Sequence, residues 1–278
     1  MGAKASKTKS KTEVGSKLIS VPSIDDGHSI PCKIFKPPKK TTVRGAVFFI
    51  HGGMFSQGDR GSHPQVSESL AKLGLLVITA SFRDGSSTEY TSGKYMQDLK
   101  SIARYFRTQN AQRKKQLPFG IVGSSSGGWF ALSLVNELEV GEVDYLALLC
   151  PVADPYARAV YLQQCIECPS DFAYHVRHEP EKAKCILENQ LKFFSTMENM
   201  QEATNAVRTS RHNIPTLMLV GAVDKNVPPQ VTQHIQNSWA TRTISVGGKG
   251  HEIQNVLPLD LVSDIDQFLK FIIKDGSK

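Results

Sequence analysis

Apolar residues recur along this chain with two periods that take turns. Arg44–Ile50 (RGAVFFI) and Leu75–Ala80 (LLVITA) are apolar at nearly every position, the mark of strands buried on both faces. Between them, His63–Leu73 reads as a helix, with Gly74 placed to close it in the left-handed conformation. Tyr95–Thr108 sets Met96, Leu99, Ile102, Ala103 and Phe106 on one face of a helix. The alternation continues with strand Phe119–Gly123, helix Ser126–Leu138, strand Tyr145–Cys150 and strand Thr216–Gly221. Helix Pro229–Trp239, strand Arg242–Val246 and helix Leu259–Ile273 complete it. Lys17–Val21 and Ser29–Phe35 pattern as an antiparallel pair at the sheet edge. Strands alternating with helices predict an α/β fold, a mostly parallel central sheet flanked by helices.

One stretch breaks the rhythm. Pro151–Asn213 holds no convincing strand over 63 residues, while Glu181–Thr196 places Ile186, Leu187, Leu191 and Phe194 on one helical face. We expect residues 151–213 to be a helical lid inserted into a single domain spanning 16–275. No repeat of 20 to 50 residues is visible.

Composition and charge alter this picture only at the ends. Residues 1–15 are rich in lysine, serine and threonine and nearly devoid of apolar side chains, so a disordered tail is expected. Residues 1–17 hold five lysines against Glu13, more than half of the net charge of +7. What remains is unremarkable, and the lysines are not interleaved with aromatics, which argues against a nucleic-acid partner. Met1-Gly2-Ala3-Lys4-Ala5-Ser6 fits M-G-x-x-x-[ST] with lysines close behind, making Gly2 a candidate myristoylation site in a eukaryotic source. The lysines could then add a second, peripheral membrane contact. Leu117–Val135 carries no charge over 19 positions, but its glycines, Pro118 and three consecutive serines suit a soluble fold better than lipid. Five scattered cysteines, with no signal-peptide pattern upstream, fit a reducing cytoplasmic compartment. Cys165 and Cys168 form a C-x-x-C with no second pair, and we read them as ordinary thiols one helical turn apart.

The chemistry concentrates at strand ends. Gly123-Ser124-Ser125-Ser126-Gly127 is G-x-S-x-G between an apolar strand and a helix, the strand–turn–helix setting of a nucleophile elbow. Ser125 would expose its Oγ there, and the Ser126 N–H at the helix start would face the same spot. His51-Gly52-Gly53 directly follows strand Arg44–Ile50, where glycines let backbone N–H groups turn toward a substrate. Gly53 and Met54 would supply the other half of an oxyanion hole. A serine nucleophile needs a base, and the base an orienting carboxylate. Asp224 (GAVDKNVPP) and His251 (GGKGHEI) each follow a late strand, so Ser125, Asp224 and His251 run in the order Ser, acid, His. Asp154, in PVADP past an earlier strand, is the rival acid.

These motifs resemble the α/β-hydrolase superfamily, in particular its esterase/lipase-like branch, whose oxyanion motif begins HGG and often runs on to G-D, here Gly58-Asp59. The resemblance covers roughly residues 16–275 and includes Phe82-Arg83, Asp98 and Pro151-Val152-Ala153-Asp154-Pro155. Met54 stands where such proteins commonly carry a third glycine, and Phe82 where they often carry tyrosine. It implies nucleophile Ser125, acid Asp224, base His251 and oxyanion donors Gly53, Met54 and Ser126. Hydrolysis of a small-molecule carboxylic ester through an acyl-enzyme, with no metal or organic cofactor, is the activity it suggests. An amidase or peptidase of arylformamidase or oligopeptidase kind would use the same residues, although the chain has no room for the propeller that oligopeptidases usually add. A hydrolase-fold receptor that binds a ligand without turning it over would keep the fold alone. Acyl group, alcohol group and oligomeric state are not written in the sequence.

Overall fold

Eight strands form one sheet: β1 (Gly15–Pro22), β2 (Ser29–Lys36), β3 (Gly45–Ile50), β4 (Leu75–Ala80), β5 (Phe119–Ser124), β6 (Tyr145–Leu149), β7 (Thr216–Gly221) and β8 (Thr241–Val246). Their spatial order is β1-β2-β4-β3-β5-β6-β7-β8. The first two junctions are antiparallel and the rest parallel. The computed structural model describes residues 13–53, 55, 61–83, 92–114, 116–171, 177–209, 214–233, 235, 241–254 and 263–270. Gly2, Met54, Gly58 and Asp59 lie outside the described residues.

β3, β5, β6 and β7 are buried along their whole length, because helices cover both faces of the sheet. Alternate residues feed separate cores. Phe48, Ile50 and Ile121 point into one core, which takes in α2 (Ser92–Ala111) and α3 (Ser126–Glu137). Val47, Phe49 and Val122 point into the other, with α1 (Pro64–Lys72) and Ile265 and Phe268 of a helix over 263–270. Leu73 closes α1, and Gly74 beyond it takes the left-handed conformation at φ +90°.

Among its described residues the interrupted stretch carries three α-helices, α4 (Pro155–Glu167), α5 (Pro180–Phe194) and α6 (Met197–Thr209), where the hydrophobic pattern singles out only α5. Asp154 starts α4 by accepting the Ala157 N–H at 2.7 Å, with Pro155 at the first helical position. Thr196 does the same for α6 through the Asn199 N–H at 3.1 Å. The expected helix Pro229–Trp239 opens as a 3₁₀ turn over Pro229–Thr232, and its other described residues, Gln233 and Ile235, are α-helical. Pro228 and Pro229 there supply no N–H. Of the expected helix Leu259–Ile273, residues 263–270 are described and helical.

A buried arginine ties the antiparallel edge to this body. Arg83, just past β4, forks onto Asp98 of α2 at 2.9 and 3.0 Å and onto Asp26 of the β1–β2 turn at 2.7 and 2.8 Å. The guanidinium holds the Asp26 carboxyl below the usual carboxylate range.

Candidate active site

The sheet switches direction at β3. The chain leaves β3 for β4 on one side, while β5 lies on the other, with Ile50 opposite Gly123. Residues 51–53 and 124–126 therefore emerge side by side at carboxyl ends, where open α/β sheets bind ligands.

Ser125 forms the corner between β5 and α3 at φ 54° and ψ −122°, a conformation that costs a non-glycine residue about 1–3 kcal/mol. Three backbone hydrogen bonds hold it there. Its N–H donates to the Leu149 carbonyl at 2.9 Å, and its carbonyl accepts from Gly128 at 2.9 Å and Val152 at 2.8 Å. Both glycines of the motif have steric reasons. A Cβ at 123 would stand 2.5 Å from the Gly127 carbonyl oxygen, and one at 127 would stand 2.2 Å from that of Ile50. Ser126, first residue of α3, carries one of the N–H groups that a helix leaves without an internal acceptor.

β7 and β8 are neighbours with Gly221 opposite Val246, so their following loops meet. Asp224 is 1% exposed and accepts at Oδ1 from the N–H of Asn226 at 2.8 Å and of Val227 at 3.0 Å. Its Oδ2 lies 2.7 Å from His251 Nδ1, and His251 Nε2 lies 3.0 Å from Ser125 Oγ. The two backbone donors orient the carboxylate. With Nδ1 protonated toward Asp224, the Ser125 hydroxyl donates to Nε2. Asp154 is engaged elsewhere, capping α4 and pairing with Arg208. The structure thus brings Ser125, His251 and Asp224 into one chain of hydrogen bonds.

The loop after β3 is held differently. The His51 ring lies between two carbonyls, Nδ1 2.8 Å from Gly52 and Nε2 3.1 Å from Ala80, with the Phe82 ring 5.0 Å away. Gly53 has φ 155° and Phe55 φ 65°, the latter a left-handed backbone under a buried aromatic. Rings of Phe130, Phe193 and Phe194 surround Phe55 at 5.4 to 5.5 Å. His63, at the start of α1, is lowered in pKa by burial first and then by His51 and His251.

Sequence reasoning passed over several neighbours. The Cys150 thiol lies 4.0 Å from the Gly250 carbonyl, and burial, reinforced by Asp224, pushes it well up. Cys150, Asp224 and His251 form the only set of metal-ligating atoms drawn together among the described residues, all within 4.8 Å. Two of the three already bond each other, and a protonated thiol is a poor ligand. The stretch between β6 and β7 also grips the Asp224 loop through Arg158, Tyr161 and His178. The one signal for this was a charged residue, Arg158, on the apolar face that Ala159, Leu162 and Cys165 share. No helix among the described residues is long and apolar enough to cross a membrane.

A family model described as BD-FAE matches residues 32–239, about three-quarters of the chain. Arylacetamide deacetylase of Rattus norvegicus is 27% identical over 120 residues, 41% of this chain, and the match spans only 30% of that enzyme's length. Among solved structures, brefeldin A esterase, a bacterial homologue of human hormone-sensitive lipase, superposes with TM-score 0.74 at 15% identity, covering 99% of this chain and 81% of its own. The esterase of the hyperthermophilic archaeon Pyrobaculum calidifontis gives 0.71 at 17% identity over 94% and 86%. At those identities the likeness speaks for the fold: an open, mostly parallel sheet of α/β-hydrolase type.

Proposed function

This chain belongs to the BD-FAE family, α/β-hydrolases of esterase and lipase kind, and from that premise we propose that it is a serine hydrolase cleaving carboxylic esters. The observation that carries the reading is the hydrogen-bonded chain from Ser125 through His251 to Asp224, at 3.0 and 2.7 Å. His251 Nε2 takes the hydroxyl proton as Ser125 Oγ attacks the ester carbonyl. Asp224 keeps the imidazole in the tautomer that leaves Nε2 free to accept, and it stabilises the imidazolium that forms. The N–H groups of Gly53, Met54 and Ser126 receive the developing oxyanion. His251 then protonates the departing alcohol, and water hydrolyses the acyl-enzyme by the same route. Helices α4 to α6 act as a cap that shapes the acyl and alcohol pockets.

Covalent trapping with a fluorophosphonate followed by peptide mapping tests this. The phosphonylated adduct imitates the tetrahedral intermediate, so labelling requires an activated hydroxyl. The label should land on Ser125 and not on Ser124 or Ser126, and Ser125→Ala should abolish it. Failure of the folded protein to label removes the reading.

One observation favours a second reading. The curated relative is by name a deacetylase of arylacetamides, and the same residues can attack an amide. Phenyl acetate and acetanilide share an acyl group, so comparing kcat/KM for the pair ranks ester against amide.

A further inference from the structure

The Asp224 loop does not hold itself in place; the insertion holds it. Arg158 of α4 donates from Nε to the Asn226 carbonyl at 2.8 Å and from Nη1 to Gln190 Oε1 of α5 at 3.1 Å. Tyr161, one turn further along α4, donates its O–H to the Lys225 carbonyl at 2.9 Å. His178, just before α5, has Nε2 2.5 Å from Asn226 Oδ1. Residues 225 and 226 are the link that carries the Asn226 and Val227 N–H groups onto Asp224 Oδ1, and these fix which carboxylate oxygen faces His251.

Arg158 is an odd residue to find there on grounds of stability. It is 2% exposed, and both its hydrogen-bond partners are neutral oxygens. A buried guanidinium without a directly bonded carboxylate is costly. Burial pulls its pKa down to about 10, which still leaves it charged near neutrality, and Asp224 is the carboxylate whose field opposes that fall. An apolar side chain would pack α4 against its neighbours with less penalty. The position gains from arginine only if the Asn226 carbonyl must be held and the Asp224 charge must be faced.

We propose that Arg158, assisted by Tyr161, is a positioning residue: it clamps residues 225–226 so that Asp224 Oδ2 stays aimed at His251 Nδ1. The inference rests on the reading of Asp224 as the triad acid. It makes the insertion part of the catalytic framework as well as a cover.

The test compares Arg158→Met, Arg158→Lys and Tyr161→Phe with Arg208→Met, using p-nitrophenyl acetate, and adds the far-downfield His251 Nδ1–H proton resonance. Arg208 belongs to the same stretch but pairs with Asp154 rather than with residues 224–226. Arg158→Met should lower kcat about 10²-fold, the scale of a misplacement of about 1 Å, with KM nearly unchanged. Its downfield resonance should broaden away. Lysine keeps the charge and can donate to the Asn226 carbonyl but lacks the guanidinium fork, so it should recover part of the loss. Arg208→Met should lower the Tm yet keep both kcat and the resonance. Should Arg158→Met fail to fold, Tyr161→Phe removes the hydrogen bond to the Lys225 carbonyl and should cost about fivefold in kcat with a smaller loss of Tm than Arg208→Met. Wild-type kcat and resonance in the Arg158 and Tyr161 variants would overturn the clamp, as would losses that track Tm equally in Arg158→Met and Arg208→Met. Asp224→Asn separates the two failures. If it remains active the triad reading itself falls; if it is dead while Arg158→Met is normal, only the clamp falls.

Discussion

Two loops flank Ser125, and they are built on opposite principles. The loop after β3 rests on a dry support, Phe55 wedged among Phe130, Phe193 and Phe194, with its backbone at φ 65°. The loop after β7 rests on a polar one, both carboxylate oxygens of Asp224 and the carbonyls of residues 225 and 226 being met by a donor. Dispersion is spread over many weak contacts, so an apolar support yields in proportion to the volume removed. A buried polar support fails at single atoms, because each unmet partner keeps its full desolvation cost. Both supports draw on the stretch between β6 and β7, Phe193 and Phe194 from α5 and Arg158 and Tyr161 from α4.

The contrast breaks most sharply at Asp224. Asn in its place keeps the volume but cannot serve the imidazole in the right tautomer, an effect of about 10⁴ in kcat where it has been isolated in triads. Asp224→Asn should fall by that order, while Asp154→Asn should stay within a few-fold and lose some thermal stability through its α4 cap and Arg208. Steady-state kinetics of the two variants decide it, and an equal or reversed ranking would mean the acid is misassigned.

The dry side should respond in degrees. Phe55→Ala empties the middle of an aromatic box and should destabilise by about 3–5 kcal/mol, as truncation of a buried phenylalanine does. Phe193→Leu conserves most of the volume and should cost less than about 1.5 kcal/mol with kcat nearly intact. Urea titrations measure both. If Phe193→Leu proved as damaging as Phe55→Ala, the box would be acting through ring geometry, and the distinction between the two supports would fail.

This contrast also explains what could be read beforehand. Leu75–Ala80 is the strand its apolar run predicts, residue for residue, and the edge pair lies where its pattern placed it. Those elements are coded by local periodicity, which one sequence displays in full. G-x-S-x-G between strand and helix is local in the same way, and Ser125 sits at the corner its context indicates. Asp224 and His251 needed an argument from order and strand ends, since the hydrogen bond between them spans 27 residues. The clamp was beyond reach. Arg158 and Asn226 are 68 positions apart, and nothing in either neighbourhood names the other. Helices α4 and α6 were missed because their apolar faces are interrupted by buried polar residues, Arg158 in one and Thr204 in the other.

The subtlest test of the polar support is its response to acid. His178 is buried beside Asn226, and burial lowers its pKa below the ordinary 6.5. An unfolded histidine titrates near 6.5, so below that pH the unfolded chain binds protons that the folded chain resists. The stability that neutral His178 contributes is therefore complete above about pH 6.5 and is lost as the pH falls through and below it. His63 is shifted in the same direction and adds to the same slope. His178→Gln offers an amide N–H to Asn226 Oδ1 and does not titrate, so its loss of stability between pH 7 and pH 5 should be smaller than that of wild type, though not zero while His63 remains. Urea midpoints at the two pH values measure the difference. A variant that loses as much stability as wild type would show that His178 is free to charge in the folded state, and the polar grip on Asn226 would then be weaker than its 2.5 Å geometry implies.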